Sequence, residues 1–296
     1  MEQKKEVGLA NTRGQGGGTP ARLNQFQRQD LARHLRTESK FWTVGGVRTL
    51  IAVRYAVYYG KRQVQRLLRR LGLYCYKPQP RDYRQPVNAA QKLSERLKAV
   101  ADVLRLKGYA INEVCLGFAD ESSMQLQANS QRLWAFAKRL TRRVNTDRKK
   151  LNCFGFYALQ GSSVLEAIPK GNQENLVKVL PLIRAANPRA KAIVLLWDNH
   201  PAHLTKNVQQ CAHQLGIVLV NLPAYSPNLN PIERIWKQIK KIVSQQDCLS
   251  GIEQLEGIVR QSFQHYSGQL SFAKRWIECF WTPLSSNYPT SSYNKL

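Results

Sequence analysis

Acidic residues are scarce in this sequence. Its 296 residues include 19 Asp and Glu against 45 Lys and Arg, which gives a formal net charge of +26. Between residues 175 and 246 the only carboxylates are Asp198 and Glu233. A charge balance of this kind indicates an anionic partner. Nucleic acid is the first candidate and an anionic membrane surface is the second.

Long apolar segments are also lacking, and this disfavours a membrane partner. The apolar run Ala192–Trp197 is far shorter than the ~20 residues that a membrane-spanning helix needs. Residues 1–20 contain no apolar stretch of the kind found in signal peptides. With 43% hydrophobic residues, the chain is expected to be globular and to form one large domain or two ordinary ones.

Paired cysteines are the third absence. The chain has six cysteines, and none of them belongs to a C-x-x-C pair. Neither a zinc ribbon nor a redox motif is therefore indicated. We expect the cysteines to be reduced thiols that serve as small apolar residues in a cytosolic protein.

The first third of the chain predicts a tail followed by a DNA-binding domain. Residues 1–20 are polar and rich in Gly, and we expect a flexible basic tail. Residues 21–76 contain three helical patterns, and the alternating stretch "LYCYK" that begins at Leu73 is typical of a short strand. This order predicts a winged helix-turn-helix. Residues 77–87 contain three prolines and little apolar content, which predicts an extended basic linker.

The third helix of that domain has two contrasting faces. Val64, Leu67, Leu68 and Leu71 form its apolar face, and Gly72 is suited to end it. The opposite face carries the predicted DNA contacts Lys61, Arg62, Gln63, Arg66, Arg69 and Arg70. The alternative is a basic solvated face on a structural helix, and the charge of the whole chain favours the DNA interpretation.

The remaining chain predicts an α/β domain over residues 88–250 and a helical extension with a tail over 251–296. After one helix, three strands are predicted in "INEVCLGFAD", "SMQLQ" and "NCFGFYAL". Helices then alternate with two short apolar strands, "KAIVLLWDN" and "IVLVNLP". The order strand, strand, strand, helix, strand, helix, strand, helix predicts a mixed sheet with helices on both faces.

Two of the few acids close predicted strands. Asp120 ends "VCLGFAD" and Asp198 ends "IVLLWD", and ligands of open α/β sheets bind at the carboxyl ends of strands. Together with Glu233 they form a candidate site for a hard cation such as Mg²⁺, which prefers oxygen ligands. Glu121 is next to Asp120, and adjacent strand residues face opposite ways, so at most one of the two points into the site.

Some residues near these acids also suit a structural role or a different metal. Asn230 as N-cap, Pro231 at the first helical position and Glu233 at the third would form a capping box, which needs no chemistry. His200 and His203 extend Asp198 to the pattern D-x-H-x-x-H, which raises the possibility of zinc. Zinc needs three or four ligands, and no cysteine is near in the sequence, so zinc is disfavoured.

Three segments carry a family resemblance. "GFADESS", "VLLWDNHPAH" and "LPAYSPNLNPIERIWKQIK" resemble the active-site motifs of mariner-like DDE transposases, and most closely those of the bacterial insertion sequence 630 family. The 34 residues between Asp198 and Glu233 are the spacing typical of that superfamily. The resemblance implies a ribonuclease-H-like catalytic domain. It also implies that Asp120, Asp198 and Glu233 are both the catalytic triad and the metal ligands.

The resemblance further implies an activity. The chain would bind the inverted repeats of a mobile element as double-stranded DNA, cleave strands with Mg²⁺-activated water, and join the freed 3′-hydroxyl to target DNA. Mn²⁺ would be a possible substitute for Mg²⁺, the protein would act as a homodimer on DNA, and no membrane is involved. Asn199 resembles the family's "DN" pair and is expected to hold either a neighbouring loop or a substrate, with the loop role favoured.

The resemblance leaves rival functions and one departure. Relatives commonly carry two helix-turn-helix units, of which only the second is visible here. The first rival is a ribonuclease-H-like nuclease that lacks strand transfer. The second is a non-catalytic DNA-binding repressor derived from a transposase.

Overall fold

The computed structural model describes residues 23–37, 41–77, 81–126, 145–246 and 248–285. The tail predicted over residues 1–20 lies outside them. The chain divides by its internal contacts into two compact units, Met1–Gln79 and Pro80–Leu296. The helices and strands are α1 (Gln25–Thr37), α2 (Val44–Tyr55), α3 (Lys61–Arg70), α4 (Ala89–Leu106), β1 (Val114–Gln125), β2 (Lys150–Ala158), β3 (Val164–Ala167), α5 (Gln173–Ala186), β4 (Ala192–Trp197), α6 (Lys206–Gln214), β5 (Ile217–Asn221), α7 (Ile232–Gln245), α8 (Ile252–Ser267), α9 (Lys274–Trp276) and α10 (Thr282–Ser285).

The first unit packs α1, α2 and α3 around one small apolar core. Leu31 of α1, Ile51 of α2 and Val64 of α3 are fully buried in it. Gly72 ends α3 in the left-handed region at φ 84°, and the amide of Leu73 returns to the Leu68 carbonyl at 3.0 Å. This is a Schellman-type end, as the glycine predicted. The three helices confirm the helix-turn-helix.

The strand predicted at "LYCYK" is wrong. Residues 73–77 have no regular secondary structure, and Tyr74 and Tyr76 are largely exposed. An extended segment becomes a strand only when a neighbouring strand takes its backbone hydrogen bonds, and none of the described residues does so here.

The second unit contains a five-stranded sheet in the order β3-β2-β1-β4-β5. β1, β2 and β3 pair antiparallel, whereas β1, β4 and β5 pair parallel. The predicted succession of strands and helices is confirmed, but two strands differ from those expected. "SMQ" continues β1 instead of starting a new strand, because no turn residue interrupts the chain after Asp120. The third strand is the four-residue β3.

Helices cover both faces of this sheet, as predicted. On one face α4, α7 and α8 pack against alternate β1 residues such as Leu116 and Phe118. On the other face α5 and α6 pack against Cys115 and Ala119. The C-terminal segment belongs to the first of these cores, since Trp276 and Phe280 are buried there. The boundaries predicted at residues 88, 250 and 251 remain predictions.

The structure also addresses membrane-spanning helices and the state of the cysteines. Across the described ranges, no helix is both long enough and apolar enough to cross a membrane. All six cysteines lie within those ranges and are free thiols.

Candidate active site

The parallel pairing of β1 with β4 brings two predicted aspartates to the same level of the sheet. Phe118 pairs with Leu196, so Asp120 and Asp198 each follow two residues later on neighbouring strands. Asp198 comes directly after the last residue of β4. The carboxyl ends of parallel strands meet at one edge, and this is the edge at which ligands of such sheets bind.

Asp120 faces the core that contains α7. It lies opposite Gly155 of β2, on the same face of β1 as Phe118. Rings from two helices fill the space above Gly155: a Cβ there would be 2.7 Å from Trp236 of α7 and 3.0 Å from Phe263 of α8. Because Gly155 has no side chain, Trp236 can sit this low, and α7 approaches Asp120.

Electrostatics ties the predicted triad together. Burial raises the pKa of Asp120 well above its ordinary value, and the charges of Glu233, Glu121 and Asp198 raise it further. Glu233 is exposed, but the protein around its carboxyl raises its pKa; Lys240 opposes this shift and Asp198 adds to it. The structure therefore brings Asp120, Asp198 and Glu233 into one field of mutual repulsion.

The start of α7 does not use the capping box that the sequence allows. Pro231 is the N-cap, and no side chain caps the helix by a hydrogen bond there. The buried Asn230 side chain instead donates from Nδ2 to the Ala119 carbonyl at 3.2 Å. This bond ties the loop before α7 to the residue before Asp120, and it leaves the Glu233 side chain free of the cap. The sequence analysis missed this role because an asparagine three residues before a glutamate fits a cap equally well.

A buried histidine connects two carboxylates of the site. His203 Nδ1 is 2.9 Å from Asp198 Oδ1 and 3.2 Å from the Asp198 carbonyl oxygen, and its Nε2 is 3.0 Å from Glu121 Oε1. A carbonyl can only accept, so Nδ1 carries a proton. Burial alone would lower the pKa of His203, but Asp198 and Glu121 raise it to about 10. Both ring nitrogens therefore donate at neutral pH.

Glu121 lies on the opposite side of β1 from Asp120, as strand alternation predicts. Its carboxylate reaches His203 near α6, while Asp120 faces α7. Burial alone would raise the pKa of Asp198, but contacts from His203 and the His200 amide hold it below its ordinary value. Asn199 donates to the Leu222 carbonyl at 2.6 Å and so holds the neighbouring loop, as expected.

Asp120 and Asp198 are neighbouring oxygen donors of the kind that a divalent cation prefers, but the described side chains do not form a complete set of metal ligands. Within the described parts of the chain, no three His, Cys, Asp or Glu side chains converge closely enough to hold a metal ion. His203 is committed to two carboxylates, which also removes it from a zinc site. Mg²⁺ in phosphoryl-transfer sites commonly takes one or two carboxylates and completes its shell with water and substrate phosphate. Asp120 and Asp198 fit this arrangement.

A groove of about 540 Å³ opens beside the acids. Asp120, Glu121 and Asp198 are among the residues that line it. The lining also includes groups that suit a phosphate backbone, namely Ser123, Lys150, Asn152 and Lys170. Hydrogen bonds shape this part of the lining: Asn152 accepts from Ser123 Oγ at 2.6 Å and donates to the Pro169 carbonyl at 2.8 Å.

The loop that leads into α7 is fastened by the segment before α4. Tyr225 has a positive φ of 54°, a strained conformation for a residue with a side chain. The Arg84 guanidinium stacks 3.9 Å from the centre of its ring and donates to its hydroxyl at 3.2 Å. Gln85 donates to Ser226 and Asn228.

The predicted DNA contacts lie together on α3 in the first unit. Lys61, Arg62, Gln63, Arg66, Arg69 and Arg70 are all exposed. Gln63 also has a structural role, since its Oε1 accepts from the Gly60 amide at 2.8 Å and caps the helix. Whether these side chains contact DNA stays a prediction.

Known proteins share both parts of this architecture. Residues 116–256 match the family described as "DDE superfamily endonuclease", and residues 38–92 match "Winged helix-turn helix". A curated relative, "Transposable element Tcb2 transposase" of Caenorhabditis briggsae, is 34% identical over 53 residues. That match spans 18% of this chain and only 19% of the relative's length.

Solved structures of Mos1 transposase share the fold. The "Mos1 transposase paired-end complex with left transposon end" is 15% identical, with a TM-score of 0.61 over 97% of this chain and 89% of that chain. The "Crystal structure of the Mos1 mariner paired end complex with Mn" is 16% identical, with a TM-score of 0.59 over 96% of this chain and 88% of that chain. Residues 116–256 therefore match a DDE superfamily endonuclease domain and residues 38–92 a winged helix-turn-helix domain, and the chain shares the ribonuclease-H-like fold of the Mos1 transposase structures.

Proposed function

We propose that this protein is a DNA transposase that binds the ends of a mobile element, cleaves strands and joins them to target DNA. The observation that carries the proposal is the parallel pairing of β1 with β4, which sets Asp120 and Asp198 at one sheet edge in a chain otherwise short of acids, with Glu233 near enough for its charge to raise the pKa of Asp120. The named motifs support the finer placement in the bacterial insertion sequence 630 family.

The carboxylates are proposed to bind the catalytic cations. Burial raises the pKa of Asp120, and repulsion from Glu233, Glu121 and Asp198 raises it further; bound cations would offset this repulsion. Asp120 and Asp198 would be the main ligands and Glu233 the third. Mg²⁺, with Mn²⁺ as a substitute, would supply an activated water and stabilise the leaving oxygen in phosphoryl transfer.

The chain's own residues would hold the DNA strand for this chemistry. Lys150 and Lys170 would meet backbone phosphates in the groove, which places a neighbouring phosphodiester beside Asp120. Water attack on that phosphorus breaks one P–O bond and leaves a 3′-hydroxyl. The same hydroxyl then attacks a target phosphodiester, forms the new P–O bond and releases the target's own 3′-oxygen.

The first unit would bring the protein to its DNA. We propose that Lys61, Arg62, Gln63, Arg66, Arg69 and Arg70 on α3 contact the duplex. Exposed side chains on a single helix face suit a major groove, and the charge of +26 supports binding to phosphates. A homodimer on DNA is proposed because two element ends must be joined.

The test uses a plasmid that carries this coding sequence together with its native flanking DNA, a second plasmid as target, and either Mg²⁺ or a chelator. The wild-type chain is expected to release 3′-hydroxyl ends and to join them to the target only with Mg²⁺. Asp198→Asn is expected to bind the plasmid with similar affinity and to lose cleavage by at least about 100-fold, because it removes a direct ligand of the cation. Cleavage without joining would favour the nuclease rival, and binding without cleavage would favour the repressor.

A further inference from the structure

His203 holds its place through contacts on three sides. Its side chain is 1% exposed, and its ring stacks on Trp197 at 4.1 Å between centroids and 5° between planes. Trp197 is itself fully buried and donates to Asn221 at 2.9 Å. The two ring nitrogens bind Asp198 and Glu121. An imidazole held on its face and at both nitrogens has no freedom to rotate.

The fixed His203 ring determines the orientation of the Asp198 carboxylate. The Asp198 side chain is 57% exposed, and an exposed aspartate ordinarily samples several orientations. Here Oδ1 is contacted by His203 Nδ1 at 2.9 Å and accepts from the His200 amide at 3.0 Å. Both contacts fall on the same oxygen, so Oδ2 is left for a ligand.

Glu121 supports the ring from its other side. Its Oε1 accepts from His203 Nε2, and the side chain packs against the loop before α5, where a Cβ on Gly171 would be 3.4 Å from Oε1. The hydrogen-bonded series Glu121–His203–Asp198 therefore links β1 to the end of β4, and its first contact joins residues that are 82 positions apart in the sequence.

We infer that His203 is a positioning residue that fixes Asp198 through Oδ1 and so makes Oδ2 the single oxygen that Asp198 offers to a divalent cation. The inference rests on the proposed function, since it assigns the cation to that site. Partners that orient a metal-binding side chain typically change metal affinity by 10–100-fold when they are replaced.

Two amide variants, each of which keeps one of the two donor positions of the ring, separate positioning from simple packing. In His203→Asn the amide nitrogen lies near the position of Nδ1 and can still donate to Asp198. In His203→Gln it lies near the position of Nε2 and can donate only to Glu121. Both remove the ring from Trp197, and Asn, the smaller side chain, leaves the larger void. His213→Asn, an exposed histidine on α6, is the matched control.

The first measurement is Mn²⁺ binding to the full chain without DNA, followed by electron paramagnetic resonance. The second is the Mn²⁺ concentration that gives half-maximal cleavage of the plasmid described above. We expect His203→Gln to raise both the dissociation constant and this concentration by about 10–100-fold. His203→Asn should retain most of the wild-type affinity, and His213→Asn should match the wild type.

The other outcomes overturn the inference. Equal effects of the Asn and Gln variants, or no effect of either, would mean that His203 only fills the core. Failure of both variants to melt cooperatively would mean the same. A wild-type chain that cleaves the plasmid but binds no Mn²⁺ alone would refute the prearranged ligand and leave the proposed function standing. A wild-type chain that cleaves no DNA would remove the proposed function itself.

Discussion

Gly155→Ala is expected to impair cleavage far more than it impairs folding, because it acts on the helix that carries Glu233. The new Cβ would lie 2.7 Å from Trp236 Cζ2 and 2.8 Å from Cη2. Carbon atoms pack at about 3.5–4.0 Å, so the Trp236 ring has to move outward by roughly 1 Å. Trp236 follows Glu233 by less than one turn of α7, and the carboxylate therefore moves with it.

The size of both effects can be estimated. Adding a methyl group to a filled core costs about 1–3 kcal/mol. In a domain of 150–250 residues each kcal/mol lowers Tm by roughly 2–4 °C. A displacement of about 1 Å in a catalytic group can lower the rate by about 100-fold. We therefore expect a Tm loss of several degrees but a loss of cleavage rate between about 10- and 100-fold.

The control is a more severe clash on the other face of the sheet. At Gly117 a Cβ would be 2.5 Å from the Phe156 ring, in the core that contains α5 and α6, and 2.8 Å from the Tyr157 carbonyl oxygen. Gly117→Ala should cost at least as much stability and much less activity per folded molecule. Trp236→Phe, combined with Gly155→Ala, should relieve the clash and restore part of the rate. Equal rate losses for the two glycine variants, or no recovery in the double variant, would refute this reasoning.

Two further predictions concern charge. Replacing Arg62, Arg66 and Arg69 with Ala in the full chain should reduce the slope of log K against log salt by about 0.9 for each lost phosphate contact. Arg105→Ala is the control and should leave the slope unchanged, because Arg105 is already paired with Asp102. An unchanged slope in the triple variant would mean that α3 is only a solvated face. Burial and neighbouring acids raise the pKa of Asp120. Between the ordinary carboxyl pKa and this raised pKa, the folded state keeps a proton that the unfolded state has lost. The free energy of unfolding therefore falls as the pH rises through that range. Asp120→Asn should thus raise Tm at neutral pH in the presence of a chelator, and the gain should shrink in acid; a gain independent of pH would contradict this origin.

The strand ends were predictable because they depend on local patterns. Apolar runs ended by an acid identified Asp120 and Asp198, and the parallel strand order explained why they meet. The motif spacing added Glu233. The short β3 was missed because its four residues are only partly buried and have no alternation. The "LYCYK" segment has alternation but no partner, and pairing cannot be inferred from one segment.

The contacts that orient the acids could not be predicted. His203 binds Glu121 from a position 82 residues away, and Asn230 binds Ala119 from 111 residues away. Neither distance leaves a periodic signal in the sequence. The one available hint was D-x-H-x-x-H, which fits a zinc site and a carboxylate clamp equally well. Burial of His203 and the identity of its second partner distinguish the two, and both require the fold.

Arg84 and Gln85 have a practical consequence for dissecting the molecule. Sequence composition marks residues 77–87 as a connector, and α4 at Ala89 would be the natural place to begin an isolated catalytic fragment. Such a fragment would lack the guanidinium that stacks on Tyr225 and the amide that binds Ser226. The strained loop at Tyr225 and Ser226, which precedes Glu233, would lose these stabilising contacts. A fragment that begins at or before Asp82 keeps these contacts. It also keeps the ion pair between the Asp82 carboxylate and Arg84, whose atoms are 2.8 Å apart.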